Sequence, residues 1–148
     1  MDLYIKTFKE LTADALFEIL RLRIAVFVVE QRCPYQEADD IDKKALHVYF
    51  TEEGKIAAYL RVFPDPAEPA AARIGRVIAV KRRCGLGTKI LRAGMDAAKT
   101  KLGANKIIVE AQTYTRGLYE KQGFVQTSEE FLEDGIPHIR METKLGDR

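Results

Sequence analysis

Apolar residues recur along this chain with a helical period in three places. After Thr12, the apolar positions that would share one helix face are Leu16, Ile19, Leu20, Ile24 and Phe27. Thr12 itself has the side chain of a helix N-cap. Thr88 precedes a second periodic segment, which we expect to run to about Leu102 and to stop at Gly103. A third, shorter helix is predicted over Leu118–Gln122.

Short apolar runs without a helical period predict β-strands. The predicted strands are Leu3–Phe8, His47–Phe50, Ile56–Phe63, Arg73–Val80, Lys106–Val109, Phe124–Thr127 and Ile139–Thr143. The fourth ends in a continuous apolar run, which is typical of a strand buried on both faces. The order strand, helix, three strands, helix, strand, helix, two strands predicts a single α/β domain, residues 1–148, around a mixed sheet.

Composition excludes several classes of protein. The 148 residues carry a net charge of only +2, which argues against a nucleic-acid or membrane surface. The N-terminus carries Asp2 and no long apolar run, so we expect no signal peptide. Neither the two cysteines, Cys33 and Cys84, nor the two histidines, His47 and His138, have the spacing of metal ligands. We expect a cytoplasmic protein with no metal, no nucleic-acid partner and no membrane association.

The stretch RVIAVKRRCGLGTKIL, residues 76–91, places a basic loop with two glycines between a strand and a helix. Gly85 and Gly87 allow consecutive backbone N–H groups to converge, and the following helix adds unpaired amides and the positive end of its dipole. Such a loop is suited to binding phosphate. Its spacing fits neither a P-loop nor a dinucleotide-binding motif. A tight turn with solvated cations is the alternative at this point.

A second motif, LYEKQGF at residues 118–124, follows downstream. Together the two motifs resemble the GNAT superfamily of N-acetyltransferases, in which Q/R-x-x-G-x-G/A holds the acetyl-CoA pyrophosphate and a later helix supplies a tyrosine. The stretches VFVVEQRCPYQEADDID and EDGIPHIRM resemble the ElaA-type branch of that superfamily. The resemblance covers nearly the whole chain. It implies a mixed, largely antiparallel central sheet with helices on both faces, whose fourth and fifth strands splay apart.

The resemblance also implies acetyl-CoA as the cosubstrate. Backbone groups of Ile78, Ala79 and Val80 are expected to hold its pantetheine arm, and the Val80 N–H is expected to polarise the thioester carbonyl. The other expected cofactor-binding residues are Arg82, Arg83, Cys84, Gly85, Leu86, Gly87, Thr88, Gln112 and Tyr119. Tyr119 is also the expected catalytic helper at the leaving thiol, although an aromatic residue at this helical position also serves packing.

Acetyl transfer to an amine requires the amine to be neutral, and two carboxylates are candidates for the base that removes its proton. Glu110 follows the fifth predicted strand. The alternative to a role as the base is that Glu110 is a solvated carboxylate at the end of the strand. Glu30 follows the first helix, and its alternative is a salt bridge at the helix end. Either is expected to act directly or through a chain of water molecules.

An acidic loop and one histidine are candidates for holding the acceptor. The loop carries Glu37, Asp39, Asp40 and Asp42. These residues would attract a cationic amine if they face the cleft, whereas a solvated loop is the alternative. His138 follows Glu133 and Asp134 and is expected to orient them or the acceptor, with a structural role as the alternative. The expected substrate-binding residues are Glu30, Glu37, Asp39, Asp40 and His138.

These observations predict an acetyl-CoA-dependent N-acetyltransferase that passes an acetyl group directly to a primary amine of a small molecule or a peptide. The alternative is a non-catalytic acyl-CoA-binding or sensing domain on the same fold, because a fold does not determine a function. Dimers are common among proteins of this resemblance, so a homodimer is one expected assembly.

Overall fold

A computed structural model describes residues 1–81 and 84–146. The strands are β1 Asp2–Thr7, β2 Leu46–Glu52, β3 Lys55–Pro64, β4 Ala71–Ala79, β5 Lys106–Gln112, β6 Val125–Gln126, β7 Phe131–Glu133 and β8 Ile136–Lys144. The α-helices are α1 Ala13–Arg23, α2 Leu86–Leu102 and α3 Arg116–Glu120. A π-helix, Ile24–Glu30, continues α1, and short 3-10 helices cover Phe8–Glu10, Asp40–Lys43 and Thr113–Thr115.

The strands form one sheet in the order β1-β2-β3-β4-β5-β8-β6, and β7 pairs with β8. Only the β4–β5 pair among these is parallel. That pairing ends at Ile74 opposite Val109, although β4 continues to Ala79 and β5 to Gln112. The ends of the two strands therefore bound an opening that we call the gap. The predicted mixed, largely antiparallel sheet with splayed fourth and fifth strands is confirmed.

A β-bulge in β4 lies beside the gap. Tyr59 and Arg61 on β3 lie opposite Ile78 and Gly75 on β4, so β4 carries one extra residue in this interval. Arg76, within the bulge, has φ 55°, a left-handed conformation that residues with a side chain seldom adopt. The bulge changes the alternation of side chains along β4 at the point where the gap begins.

The two faces of the sheet are packed differently. The α2 face is covered by α2 and α3 and is apolar, with buried residues that include Val48, Leu60, Val62, Ile74, Ile107, Val109 and Ile139. The opposite α1 face is covered by α1 and buries a small cluster of Ile19, Tyr49 and Tyr59 together with charged side chains. Because neighbours along a strand point to opposite faces, β3 sends Leu60 to the first and Arg61 to the second.

Two helix ends follow the sequence and others do not: α3 spans Arg116–Glu120 rather than the predicted Leu118–Gln122. Thr12 caps α1 as predicted, since its hydroxyl accepts from the Ala15 N–H at 3.1 Å. Gly103 ends α2 as predicted, with φ 64°. The start of α2 was predicted wrongly: Gly85 is its N-cap, with φ 81°, and Thr88 lies inside the first turn. The helix begins earlier because Gly85 adopts the left-handed turn at no steric cost, so no side-chain cap is required.

Besides the three short 3-10 helices, the sequence patterns missed two elements. The π-helix after α1 has the apolar composition of an α-helix, so the periodicity does not distinguish the two. Strand β7 is only three residues long, too short for alternation to be recognised. Its turn into β8 was visible in principle, because Asp134 and Gly135 both have positive φ and Asp-Gly favours a hairpin.

Candidate active site

The gap opens into a cleft of about 1320 Å³ that residues from both faces of the sheet line. From the α2 face it is lined by Gly87, Leu118 and Tyr119. From the α1 face it is lined by Glu30, Asp39, Arg73, Glu110, Glu133 and His138. The divergence of β4 and β5 therefore connects a glycine-rich helix start on one side with a group of ionisable side chains on the other.

The helix start of α2 presents backbone donors that have no partner within the helix. Gly85 has no side chain to cap the helix, and its carbonyl accepts the Lys89 N–H at 3.1 Å. The amides of Leu86, Gly87 and Thr88 precede that first intrahelical bond, so they remain for an anion at the positive end of a 17-residue helix. This local geometry is what phosphate binding at a helix start requires.

Cations lie next to these amides. A hollow of about 660 Å³ beside the start of α2 is lined in part by Lys81, Thr88, Lys89 and Arg92. Cys84 is exposed, and its thiol donates to the Lys81 carbonyl at 3.2 Å, a bond within the loop. The predicted ligands Arg82 and Arg83 lie outside the described residues.

The edge of β4 differs from expectation at Val80. The Val80 N–H, expected to polarise the thioester, donates instead to the Ala57 carbonyl of β3 at 2.9 Å, so it is not available for that role. Because bonding directions alternate along a strand, Ile78 opposite Tyr59 also turns its amide toward β3. Ala79, between the two, turns its backbone toward the gap. Of these three residues, Ala79 is therefore the one whose backbone groups face the gap.

Tyr119 lies in α3 at the α2 side of the cleft. Its ring is buried and packs edge-on against Phe124, with centroids 5.5 Å apart and planes at 77°. Burial raises the pKa of the Tyr119 phenol, and the nearby Tyr114 raises it further. The phenol therefore stays protonated at neutral pH, so that it can donate a hydrogen bond but is a weak acid. Tyr119 therefore packs against Phe124 and also lines the cleft.

Glu110 stands at the α1 side of the gap and is paired. Arg73 on β4 donates to its carboxylate at 3.0 Å and uses its Nε to bond Asp65 at 2.5 Å. The carboxyl of Glu133 lies close enough to that of Glu110 for the Glu110 charge to contribute to a raised pKa of Glu133. The ion pair with Arg73 distinguishes Glu110 from the solvated strand-end carboxylate considered as an alternative.

Glu133 was mentioned in the sequence only as a neighbour of His138, and the structure places it in the cluster. Burial and the adjacent Glu110 raise the pKa of the Glu133 carboxyl. His138 Nε2 lies 3.6 Å from a Glu133 carboxylate oxygen, and His138 Nδ1 lies 2.7 Å from the Ile136 carbonyl oxygen. The His138 ring stacks on Phe131, with centroids 6.1 Å apart. The short β7–β8 hairpin brings these groups together.

The acidic loop was expected to hold a free cluster of carboxylates, and the structure corrects this for Glu37. Its side chain is 2% exposed and accepts from Arg23 at 2.9 Å and from Arg76 at 2.6 Å. Asp39 lines the cleft but accepts from Arg61 at 2.6 Å. The carboxylates of Glu37 and Asp39 therefore form ion pairs with arginines from α1, β3 and β4. The geometry gives Glu37 no free charge with which to bind a cation.

The remaining loop acids differ from each other. Asp40 is exposed at the start of its 3-10 helix. Asp42 is buried, and although burial opposes ionisation, its bonds with Arg23 and the charge of Arg61 lower the pKa of Asp42 to about 2. His47 bonds the Tyr59 hydroxyl and the Asp42 carbonyl, both at 2.8 Å, in agreement with a structural role.

Two other predicted residues lie at the end of the π-helix and on β5. Glu30 is the last residue of the π-helix, and it lines the cleft. Gln112 was expected on the cofactor, but its side-chain amide exchanges hydrogen bonds of 3.2 and 3.4 Å with Gln31. Gln112 lies opposite His138 across the β5–β8 pair and so faces the α1 side. Its side chain therefore ties the end of the π-helix to the sheet on the α1 side of the gap.

Within residues 1–81 and 84–146, no group of three or more His, Cys, Asp and Glu side chains is placed to hold a metal ion. No helix in the same ranges is long and apolar enough to cross a membrane.

Comparison with known proteins identifies close relatives. Residues 10–145 match the family model of the acetyltransferase (GNAT) domain. A UPF0039 protein of Schizosaccharomyces pombe is 36% identical, with 98% of each chain covered. The crystal structure of an acyl-CoA N-acyltransferase from Pseudomonas aeruginosa is 35% identical with a TM-score of 0.88, covering 96% of this chain and 99% of the other. That of Escherichia coli ElaA is 30% identical with the same TM-score, covering 95% and 97%.

Proposed function

Because this chain belongs to the GNAT acetyltransferase family, we propose that it transfers an acetyl group from acetyl-CoA directly to a primary amine of a small molecule or a peptide. The chain has the fold of acyl-CoA-dependent acyltransferases and the motifs of the ElaA-type branch. The choice of acetyl as the acyl group and of an amine as the acceptor is part of the proposal.

One observation carries the proposal: a single cleft runs through the gap between β4 and β5 and joins the start of α2 to the carboxyl cluster around Glu110. A direct transfer needs the thioester and the amine to meet in one place. A cofactor that binds its diphosphate at the helix start and threads its arm along the end of β4 would bring the thioester into this gap.

The amides of Leu86, Gly87 and Thr88 are proposed to bind the diphosphate, with Lys81 and Lys89 adding positive charge nearby. The backbone of Ala79 is proposed to hold the thioester end. One backbone donor aimed at the oxyanion contributes roughly 3 kcal/mol to stabilisation of the transition state. This makes the Ala79 N–H the principal candidate for polarising the carbonyl.

The acceptor end must provide a neutral amine. An alkylamine with a pKa of about 10.4 costs roughly 4.6 kcal/mol to deprotonate at pH 7. Glu110, at the α1 side of the gap, is proposed as the group that accepts this proton, and Glu30, at the end of the π-helix, is the second candidate. Tyr119 is proposed to donate a hydrogen bond to the leaving thiolate. Its raised pKa disfavours full proton transfer to a thiolate, whose conjugate acid has a pKa of about 8.5.

The proposal is tested in two steps with the purified protein. Calorimetric titration with acetyl-CoA is expected to give a dissociation constant well below millimolar, and release of free thiol is then followed with a panel of primary amines. Turnover with acetyl-CoA that falls for propionyl- and butyryl-CoA supports the acetyl assignment. Binding without turnover for any amine would favour the acyl-CoA-sensing alternative, and absence of binding at millimolar coenzyme would overturn both.

A further inference from the structure

The guanidinium of Arg76 is enclosed by carboxylates and aromatic rings at the α1 side of the cleft. Its Nε donates to a Glu37 carboxylate oxygen at 2.6 Å, and its Nη2 donates to the Glu37 carbonyl oxygen at 3.0 Å. Asp39 adds a longer ion pair of 3.7 Å. The Arg76 Cζ lies 6.0 Å from the centre of the Phe27 ring and 5.5 Å from that of the Tyr35 ring. We call Phe27, Tyr35, Glu37 and Asp39 the cation site.

Rings and carboxylates in this combination are groups with which proteins bind organic cations, because a ring face and a carboxylate both attract positive charge. Phe27, Tyr35 and Asp39 line the cleft, and so does Arg76. The cation site therefore opens to the same cleft in which an acceptor amine is proposed to bind, and a side chain of the protein itself fills it.

Arg76 balances the charge of the buried ion network beneath it. Among the described residues, the ion pairs of this network join three arginines and three carboxylates, which are Arg23, Arg61, Arg76, Glu37, Asp39 and Asp42. Arg76 is the outermost arginine, since its side chain is 20% exposed, against 0% for Arg23 and 4% for Arg61. Without Arg76 the network would have one excess negative charge beside the cleft, and such a partly buried charge favours binding of a cation.

We propose that Arg76 is a specificity-determining residue: its guanidinium occupies the cation site and so restricts the acceptor to amines that carry no second positive charge near the reacting one. That the acceptor is an amine rests on the proposed function, whereas the cation site does not. Because the bulge that carries Arg76 lies where the gap begins, a diamine in the gap brings its second ammonium toward Arg76, and like charges repel. A monoamine of the same length meets no such repulsion.

Binding of a small guanidinium to Arg76→Gly tests the cation site without turnover. The variant is expected to fold, because glycine suits the φ of 55° at this position and Glu37 keeps its bonds with Arg23 at 2.9 and 3.1 Å. Ethylguanidinium at about 20 mM and constant ionic strength is expected to raise the melting temperature of Arg76→Gly by about 3 °C, and not that of the unmodified protein. Arg76→Asn, which also tolerates a positive φ, serves as the second variant for the same measurement.

Glu53→Gly is the matched control for the change of backbone. Glu53 has φ 52° in the exposed turn between β2 and β3, so this substitution relieves a similar conformation without opening the cation site. Its response to ethylguanidinium is expected to equal that of the unmodified protein. Addition of Tyr35→Leu to Arg76→Gly removes one wall of the site and is expected to reduce the shift. An equal response in Arg76→Gly and Glu53→Gly would overturn the cation site and the proposal with it.

Turnover of matched acceptors tests the effect on specificity. Release of free thiol from acetyl-CoA is followed with the terminal diamines of butane and hexane and with the monoamine of each length. In Arg76→Gly the ratio of kcat/KM for a diamine to that for its monoamine is expected to rise about tenfold, mainly through a lower KM for the diamine, because attraction replaces repulsion. Arg76→Lys keeps the charge and is expected to keep the ratio of the unmodified protein.

The two measurements separate this proposal from the proposed function. If the unmodified protein turns over amines and the ratio is unchanged in Arg76→Gly, the specificity role is overturned and the proposed function stands. If the unmodified protein turns over no amine, the proposed function fails and the restriction on acceptors falls with it. The melting-temperature shift of Arg76→Gly then still supports the cation site, and its absence overturns that site as well.

Discussion

The two faces of the sheet bury their side chains in different ways. Under α2 the buried residues are aliphatic and aromatic, and packing is so close that a Cβ added to Gly94 would lie 2.7 Å from a Leu60 methyl group. Under α1 the side chains of Arg23, Glu37 and Asp42 are almost fully buried as a bonded ion network. The same strands build both faces by alternation.

This difference separates stability from positioning. Burial of apolar surface contributes roughly 25 cal/mol per Å² but has no direction. A buried ion network adds little net stability, because the desolvation cost offsets the attraction, yet its bonds are directional. Here the network joins α1 to the bulge of β4 through Arg23, Glu37 and Arg76. We infer that the α2 face supplies most of the stability and that the α1 face holds the acceptor side of the gap in one geometry.

The largest expected effect comes from breaking the ion network. Arg23→Met leaves Glu37 and Asp42 buried without their shared cation, so the free energy of unfolding is expected to fall by about 3–5 kcal/mol in urea denaturation at pH 7. Arg21→Met, on the same helix, removes an exposed pair with Glu18 and is expected to cost less than about 0.5 kcal/mol. Similar losses of unfolding free energy in Arg23→Met and Arg21→Met would contradict the difference expected between the buried network and the exposed pair.

Acid is expected to weaken the charged face selectively. The pKa of Asp42 is about 2 in the folded chain against 3.8 ordinarily, so its contribution to stability is complete above about pH 4 and is lost as the pH falls toward 2. The free-energy difference between the unmodified protein and Asp42→Asn is therefore expected to shrink by about 2 kcal/mol between pH 5 and pH 2. Ile90→Ala, on the α2 face, should show a constant difference over that range. A constant difference for Asp42→Asn would rule out this role.

One tyrosine on each face sharpens the comparison. Tyr119→Phe keeps the packing against Phe124, so the melting temperature and the KM for acetyl-CoA should change little, while kcat falls about tenfold, or about 1.4 kcal/mol. Tyr59→Phe removes the hydroxyl that bonds His47 and is expected to cost about 1–2 kcal/mol of stability with a smaller loss in kcat. Steady-state kinetics and thermal denaturation measure both. An unchanged kcat in Tyr119→Phe removes that residue from the mechanism.

The smallest expected effect concerns the two loop glycines. Gly85→Ala forces a side chain into a left-handed conformation and is expected to cost about 1 kcal/mol of stability. Gly87→Ala places a Cβ 3.6 Å from Leu118, an ordinary contact, and should be neutral in urea denaturation. Because Gly87 lines the cleft, that variant is expected to bind acetyl-CoA more weakly in calorimetry. Full affinity in Gly87→Ala would place the coenzyme elsewhere.

Features that depend on contacts within a few residues were predicted from the sequence, whereas features that depend on the pairing of distant strands were not. Thr12 and Gly103 mark helix ends through contacts within one turn, so the sequence pattern located them. Thr88 was wrongly predicted as the N-cap of α2, because Gly85, three residues earlier, occupies that position. The Val80 amide was misassigned because the pairing of β3 with β4, including its bulge, determines which backbone groups face the gap.

The sequence alone predicted the order of the α-helices and of every strand except β7, and it located the glycine-containing start of α2 at one end of the cleft, because glycine conformations and helix-start amides are local properties. Only the tertiary structure decided which carboxylates are available to an acceptor. Glu37 is paired with Arg76, 39 residues away, whereas the Glu133 carboxylate lies 3.6 Å from Nε2 of His138 on the neighbouring strand β8. A carboxylate pairs with the cations that the fold places beside it, and those residues are distant in the sequence. The residues next to the carboxylate in the sequence therefore do not predict its partner.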